Sequence, residues 1–108
     1  MITAEEIKDI IKKIVTEYKP EQIYIFGSYA KNTQTKNSDI DIMVVKYTDA
    51  SPIERMNQLR RLFIRTKLPI DILVYTPQEI DRDKNRHFTF IHEILKTGKL
   101  VYARQPID

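Results

Sequence analysis

Residues 24–45 read YIFGSYAKNTQTKNSDIDIMVV, and the fold turns on how this stretch is read. The apolar run Ile23-Tyr24-Ile25-Phe26 predicts a buried strand. Gly27-Ser28 breaks it, and Tyr29-Ala30-Lys31 starts one helical turn. A polar loop runs from Asn32 to Asn37. Ser38-Asp39-Ile40-Asp41-Ile42 then leads into a second buried strand, spanning Asp39 to about Val45.

Two features of this stretch carry chemistry. Strand side chains alternate between faces, so Asp39 and Asp41 project from one side of the sheet and Ile40 and Ile42 from the other. Two carboxylates at that spacing repel each other unless a proton or a cation lies between them. Magnesium suits the position, because it takes oxygen ligands and brings phosphates with it. Gly27-Ser28 lies where a strand feeds a helix. Glycine allows close backbone approach there, and free N–H groups attract phosphate. Taken singly, Gly-Ser is a common turn and Asp-x-Asp a common solvated strand end. Together, joined by a short loop, they suggest a nucleoside triphosphate with magnesium.

The order GS-x-A-K, loop, SDIDI resembles the signature of the DNA polymerase beta-like nucleotidyltransferases. The resemblance is closest to the minimal nucleotidyltransferases (MNT), the small antitoxin partners of HEPN toxins in prokaryotic toxin–antitoxin pairs. It runs from about Ile7 to the final strand near Tyr102. One departure is visible: the family commonly has glycine where this chain has Asn32, and asparagine is the next residue best able to take a left-handed turn.

At 108 residues the chain is expected to form a single minimal nucleotidyltransferase domain, residues 1–108, without room for a second substrate domain. Hydrophobic residues make up 42% and charged residues 31%, ordinary for a globular protein. The absence of cysteine excludes disulfide and thiol chemistry and fits a cytoplasmic location. No stretch reads as a signal peptide or is apolar enough to span a membrane as a helix. The net charge of +3 is spread along the chain. No aromatic-and-basic stripe marks a nucleic-acid surface, so an RNA-binding module is the least favoured reading.

Along the rest of the chain, Thr3 to about Tyr18 predicts an amphipathic helix. Thr3 and Glu6 form a capping box, and Ile7, Ile10, Ile11, Ile14, Val15 and Tyr18 share a face. Ser51-Pro52 starts another helix, with Glu54 completing a second capping box. Its apolar stripe is Met56, Leu59, Leu62 and Phe63. Arg55, Arg60, Arg61, Arg65 and Lys67 read as a solvated face. Pro69 to Tyr75 is a third strand on which Asp71 shares a face with Leu73. Thr76-Pro77-Gln78-Glu79 caps a short charged helix. Phe88 to Thr97 makes another, with Phe88, Ile91, Ile94 and Leu95 at helical spacing and Gly98 as its stop. Leu100-Val101-Tyr102 predicts a last strand and Gln105-Pro106-Ile107-Asp108 a loose tail. His87 and His92, five apart with no acidic cluster at metal spacing, read as surface or packing residues. Tyr29 reads as an exposed ring that could stack on a base or touch a partner.

The expected fold is α/β: a mixed, twisted sheet of about four strands with packing helices, in the order helix, strand, short helix, strand, helix, strand, two helices, strand. The resemblance implies a nucleotidyltransferase palm. It also implies Asp71 as the third acidic residue beside Asp39 and Asp41, all three catalytic and magnesium-binding. Gly27, Ser28 and, more weakly, Lys31 would hold the outer phosphates of ATP. The acceptor it implies is a HEPN toxin, a ribonuclease silenced when its tyrosine receives AMP. Two other readings stay open. One is a non-catalytic antitoxin acting by contact. The other is transfer to a small molecule or a nucleic acid.

Overall fold

A computed structural model of the chain describes residues 1–104. The expected tail at 105–108 lies outside the described residues. The elements follow the expected order: α1 (Ala4–Tyr18), β1 (Gln22–Phe26), α2 (Ser28–Lys31), β2 (Ile40–Val45), α3 (Pro52–Leu62), β3 (Ile70–Tyr75), α4 (Pro77–Asp83), α5 (Phe90–Thr97) and β4 (Lys99–Ala103).

The sheet order is β3-β2-β1-β4. β1 runs antiparallel to both β2 and β4, while β2 and β3 are parallel and joined by the α3 crossover. β2 is therefore central, and every one of its side chains but Asp41 is buried. One face of the sheet, carrying Ile23, Ile25, Ile40, Ile42, Val44, Ile72 and Val74, packs on Ile10 and Ile14 of α1 and Leu59 of α3. The other face, carrying Phe26, Met43, Val45, Leu73 and Tyr75, packs on Ile80 of α4 and on Ile94 and Leu95 of α5. Each fully buried isoleucine or leucine contributes about 1.5–3 kcal/mol of transfer free energy, so the central strand anchors both layers.

Local chemistry sets the element ends. Thr3 and Glu6 form the reciprocal capping box at α1, and Thr76 and Glu79 form another at α4. At α3 only half of the expected box forms: Ser51 Oγ accepts from the Glu54 amide at 3.3 Å. The C-terminus of α1 has no basic residue in its last turn. Lys46 supplies the charge from the end of β2, with Nζ donating to the carbonyls of Tyr18 at 2.7 Å and Lys19 at 3.2 Å.

Three expectations are corrected. Tyr29 is not an exposed ring: it is 9% exposed and belongs to the core, and its Oη accepts from the Ile2 amide at 2.9 Å, tying the N-terminus to α2. Arg55 is not part of a solvated helix face. It is 7% exposed, with Nε donating to the Ala50 carbonyl and Nη1 donating to Glu79 Oε1, each at 2.8 Å. The pair links α3 to α4, and a guanidinium so enclosed needs these acceptors to offset its lost hydration. Phe88 is not on the α5 stripe. The helix begins two residues later behind the Thr89 cap, leaving Phe88 fully exposed.

Candidate active site

The Gly27 turn, β2 and β3 bring the candidate residues to one end of the sheet. Asp41 is the register partner of Phe26 on β1 and of Asp71 on β3. Strands side by side are about 4.8 Å apart, and paired residues share a face, so Asp41 and Asp71 stand next to each other. Asp39 precedes β2 by one residue and is exposed. Burial pushes the Asp41 carboxyl above its usual range, and the negative charges of Asp71 and then Asp39 push it further the same way. Asp41 thus lies within the influence of both neighbouring carboxylates.

On the β1 side, Gly27 takes φ +71° and ψ −149°, a conformation open to glycine. Its backbone lies against Asp41 so closely that a Cβ at Gly27 would overlap Asp41 Oδ2. The phosphate-cradle candidate and the carboxylate candidate are therefore in contact. α2 then turns once, Ser28 to Lys31, and closes on Asn32 in the left-handed conformation at φ 57° and ψ 34°. Asparagine is among the few residues other than glycine that take this conformation readily. Lys31 is exposed at the end of this turn.

The sequence reading missed one wall. Phe90, Glu93, Ile94 and Thr97 of α5 face Phe26, Gly27, Lys31 and Asp41 across a hollow of about 210 Å³. These four helix positions fall at i, i+3, i+4 and i+7, so a stripe was present in the sequence. Its placement depends on Gly98, where a Cβ would lie 2.5 Å from the Ile94 carbonyl and 3.0 Å from the Ile25 carbonyl. That close approach seats the end of α5 on β1. Phe90 meets Phe26 edge to face, with ring centroids 5.4 Å apart and planes at 88°. The two histidines lie together: His92 Nδ1 is 2.8 Å from the Lys84 carbonyl, and the His87 and His92 rings are 4.5 Å apart and tilted at 59°.

Asp39, Asp41 and Asp71 offer oxygen donors with mutual repulsion to relieve, a donor set that fits a hard divalent cation. Among the described residues no three acidic, histidine or cysteine side chains form a finished metal cage. Magnesium commonly takes one or two carboxylates together with substrate phosphates and water, and does not require such a cage.

The repulsion has a measurable sign. A carboxyl whose folded value is raised adds stability that is fully present below the unfolded value, about 3.9 for Asp, and is lost as pH rises through the folded value. In chelator, Asp41→Asn should therefore be more stable than the parent at neutral pH, by under about 1 kcal/mol once solvent screening at this half-buried site is allowed for. The gain should shrink to nothing near about pH 3, where both side chains are neutral. Urea unfolding across that range checks it. A variant less stable than the parent at pH 7 would contradict the mutual repulsion.

The Polymerase beta, Nucleotidyltransferase family matches residues 5–107. The chain belongs to this nucleotidyltransferase family. Among its relatives are two Methanocaldococcus jannaschii proteins, each named "Putative protein adenylyltransferase". One is 59% identical over 51 residues, a stretch covering 44% of this nucleotidyltransferase and about half, 52%, of the relative. The other is 33% identical over 94 residues, covering 77% and 96%. A crystal structure of a toxin–antitoxin complex with AMP-PNP matches with TM-score 0.63 and 27% identity, covering 91% of this chain and 73% of that one. The fold is also that of a Shewanella oneidensis complex of a tri-AMPylated HEPN toxin with an MNT antitoxin, at TM-score 0.54 and 23% identity, covering 91% and 70%. Among the described residues of this nucleotidyltransferase, no helix is long and apolar enough to cross a membrane.

Proposed function

We propose that this nucleotidyltransferase, acting as one minimal domain, moves AMP from ATP to a tyrosine hydroxyl of a HEPN-type toxin and thereby acts as its antitoxin. The observation that carries the reading is the contact between Gly27 and Asp41, beside the register pairing of Asp41 with Asp71. It brings the backbone of the Gly27 turn directly against one of two neighbouring carboxylates. The adenylyltransferase names of the relatives, the AMP-PNP complex and the AMPylated HEPN complex support the choice of nucleotide and acceptor.

Asp39, Asp41 and Asp71 would hold magnesium, which when bound supplies charge neutralisation to the triphosphate and to the transferring phosphoryl group. Gly27 and Ser28 hold the outer phosphates through backbone N–H groups and the serine hydroxyl, and the Lys31 ammonium adds a positive charge. Asp71 accepts the proton of the attacking hydroxyl. The hydroxyl oxygen then forms a bond to the α-phosphorus as the bond from that phosphorus to the bridging oxygen breaks. Pyrophosphate leaves with the electron pair toward the Gly27 turn. The share of the protein is mostly orientation, worth up to about 7–11 kcal/mol in well-aligned cases. A docked protein acceptor supplies the orientation of its own hydroxyl that so small a core cannot.

Co-expression with a HEPN-type partner tests the reading. Intact-mass measurement should show the partner gaining AMP-sized increments that depend on ATP. An unmodified partner that is nevertheless inhibited would replace transfer with inhibition by contact. AMP found on a small molecule, with no partner bound, would overturn the acceptor and keep the chemistry.

A further inference from the structure

We infer that the hollow between the Gly27 turn and α5 receives the nucleobase of the donor nucleotide, stacked on Phe90. This rests on the nucleotide-transfer reading above and adds to it a base subsite and its specificity residues.

Position argues for the donor over the acceptor. In an in-line displacement the attacking hydroxyl and the departing pyrophosphate lie on opposite sides of the phosphorus. β1 and β3 flank β2 on opposite sides. The proton-accepting candidate, Asp71, is on β3, so the acceptor approaches over that strand. The hollow opens on the β1 side and shares Gly27, Lys31 and Asp41 with the phosphate end of the site. What fills it is therefore attached to the donor.

Chemistry selects the base from among the donor's parts. Phe26, Phe90 and Ile94 make most of the wall apolar, and Glu93 and Thr97, whose hydroxyl donates to the Glu93 carbonyl at 2.9 Å, also line it. The triphosphate is repelled by Glu93 and gains nothing from an apolar wall. A nucleobase has two apolar faces and a polar edge, which is what this hollow offers in reverse. Phe90 is 53% exposed, an unusual state for an aromatic side chain whose orientation is set by an edge-to-face neighbour. Phe90 is thus a half-exposed aromatic residue in the lining of the hollow, and stacking of a base on an aromatic ring tolerates any base. Discrimination falls to Glu93, whose carboxylate accepts hydrogen bonds. It favours bases with an exocyclic amino group over uracil.

The chain contains no tryptophan, so Phe90→Trp places a single indole reporter at the proposed stacking surface. Its fluorescence should change on adding magnesium–ATP and stay constant with magnesium–tripolyphosphate, which carries no base. Phe90→Ala should weaken ATP binding about tenfold while leaving tripolyphosphate affinity unchanged, and UTP should bind the parent more weakly than ATP. Equal ATP affinity in folded Phe90→Ala and parent, or an indole signal that follows tripolyphosphate as well as ATP, overturns the inference and leaves transfer chemistry intact. Loss of partner modification at unchanged ATP affinity overturns it too, by giving the hollow to the acceptor ring. A parent that binds neither nucleotide nor tripolyphosphate overturns the transfer reading and this one together.

Discussion

Asp39→Asn combined with Asp41→Asn should abolish AMP transfer, by roughly a thousandfold or more, and leave the fold intact. Preorganised charge at the reacting centre is usually the largest single contribution to an enzyme's rate, and removing one donor already costs about a hundredfold to a thousandfold. The double change removes two of the three carboxylate charges proposed to hold magnesium. Stability should hold, because Asp39 is exposed and Asp41 carries a charge that burial and its neighbours disfavour. Amide replacements keep the shape and remove the repulsion. Partner modification followed by intact mass, beside thermal melts in chelator, separates the two effects. Parent-like rates at equal folded concentration would remove these carboxylates from the chemistry.

Gly27→Ala should have the second largest effect, and it should act on fold and function together. A non-glycine residue at φ +71° is strained, by about 1–2 kcal/mol for left-handed backbone in general. Its Cβ would also overlap Asp41 Oδ2, so one of the two must move. Nucleotide binding and transfer should both fall, since displacement of either group opens the site. The overlap predicts coupling between the positions. Gly27→Ala should cost less stability in an Asp41→Ala background than in the parent, by about 0.5–3 kcal/mol, because the clash is gone and only the backbone strain remains. Strictly additive losses in chemical denaturation would show that the contact is slack.

How much of this was legible in the sequence depends on how far apart the partners lie. Alternation along Ser38-Asp39-Ile40-Asp41-Ile42 predicted Asp39 and Asp41 on one face, and alternation along β3 put Asp71 with Leu73, but alternation fixes no register between strands; the family resemblance pointed to Asp71, which the register sets beside Asp41. The Thr3 and Thr76 caps are local bargains between residues three apart, and both form in full. Asn32 was legible because a left-handed turn is a property of one residue. The misreading of Phe88 is local, since the Thr89 cap starts α5 two residues later, whereas those of Arg55 and Tyr29 are long-range. Arg55 is buried by an acceptor that the next crossover brings to it, Glu79, and nothing in the α3 pattern announces that partner. Tyr29 is buried in a core that includes Ile2 from beyond the far end of α1, whose amide donates to its hydroxyl. The stripe on α5 was visible as spacing, but its opposition to the Gly27 turn follows from the seating of Gly98 on β1.

The parallel pairing of β2 with β3 has a thermodynamic consequence. Asp41 and Asp71 meet only after the whole α3 crossover has closed, and β2 is the central strand of the sheet. A ligand that needs both carboxylates therefore has no affinity for a chain in which this sheet has come apart. Its binding is linked to global unfolding, adding RT ln(1 + [L]/Kd) to the stability of the entire domain. Amides at the middle of β2, which exchange with solvent only when the sheet opens, would slow by the same factor as the ligand occupies its site. Nucleotide and metal would thus act as a clamp on the most protected part of the protein as well as the groups on which it works.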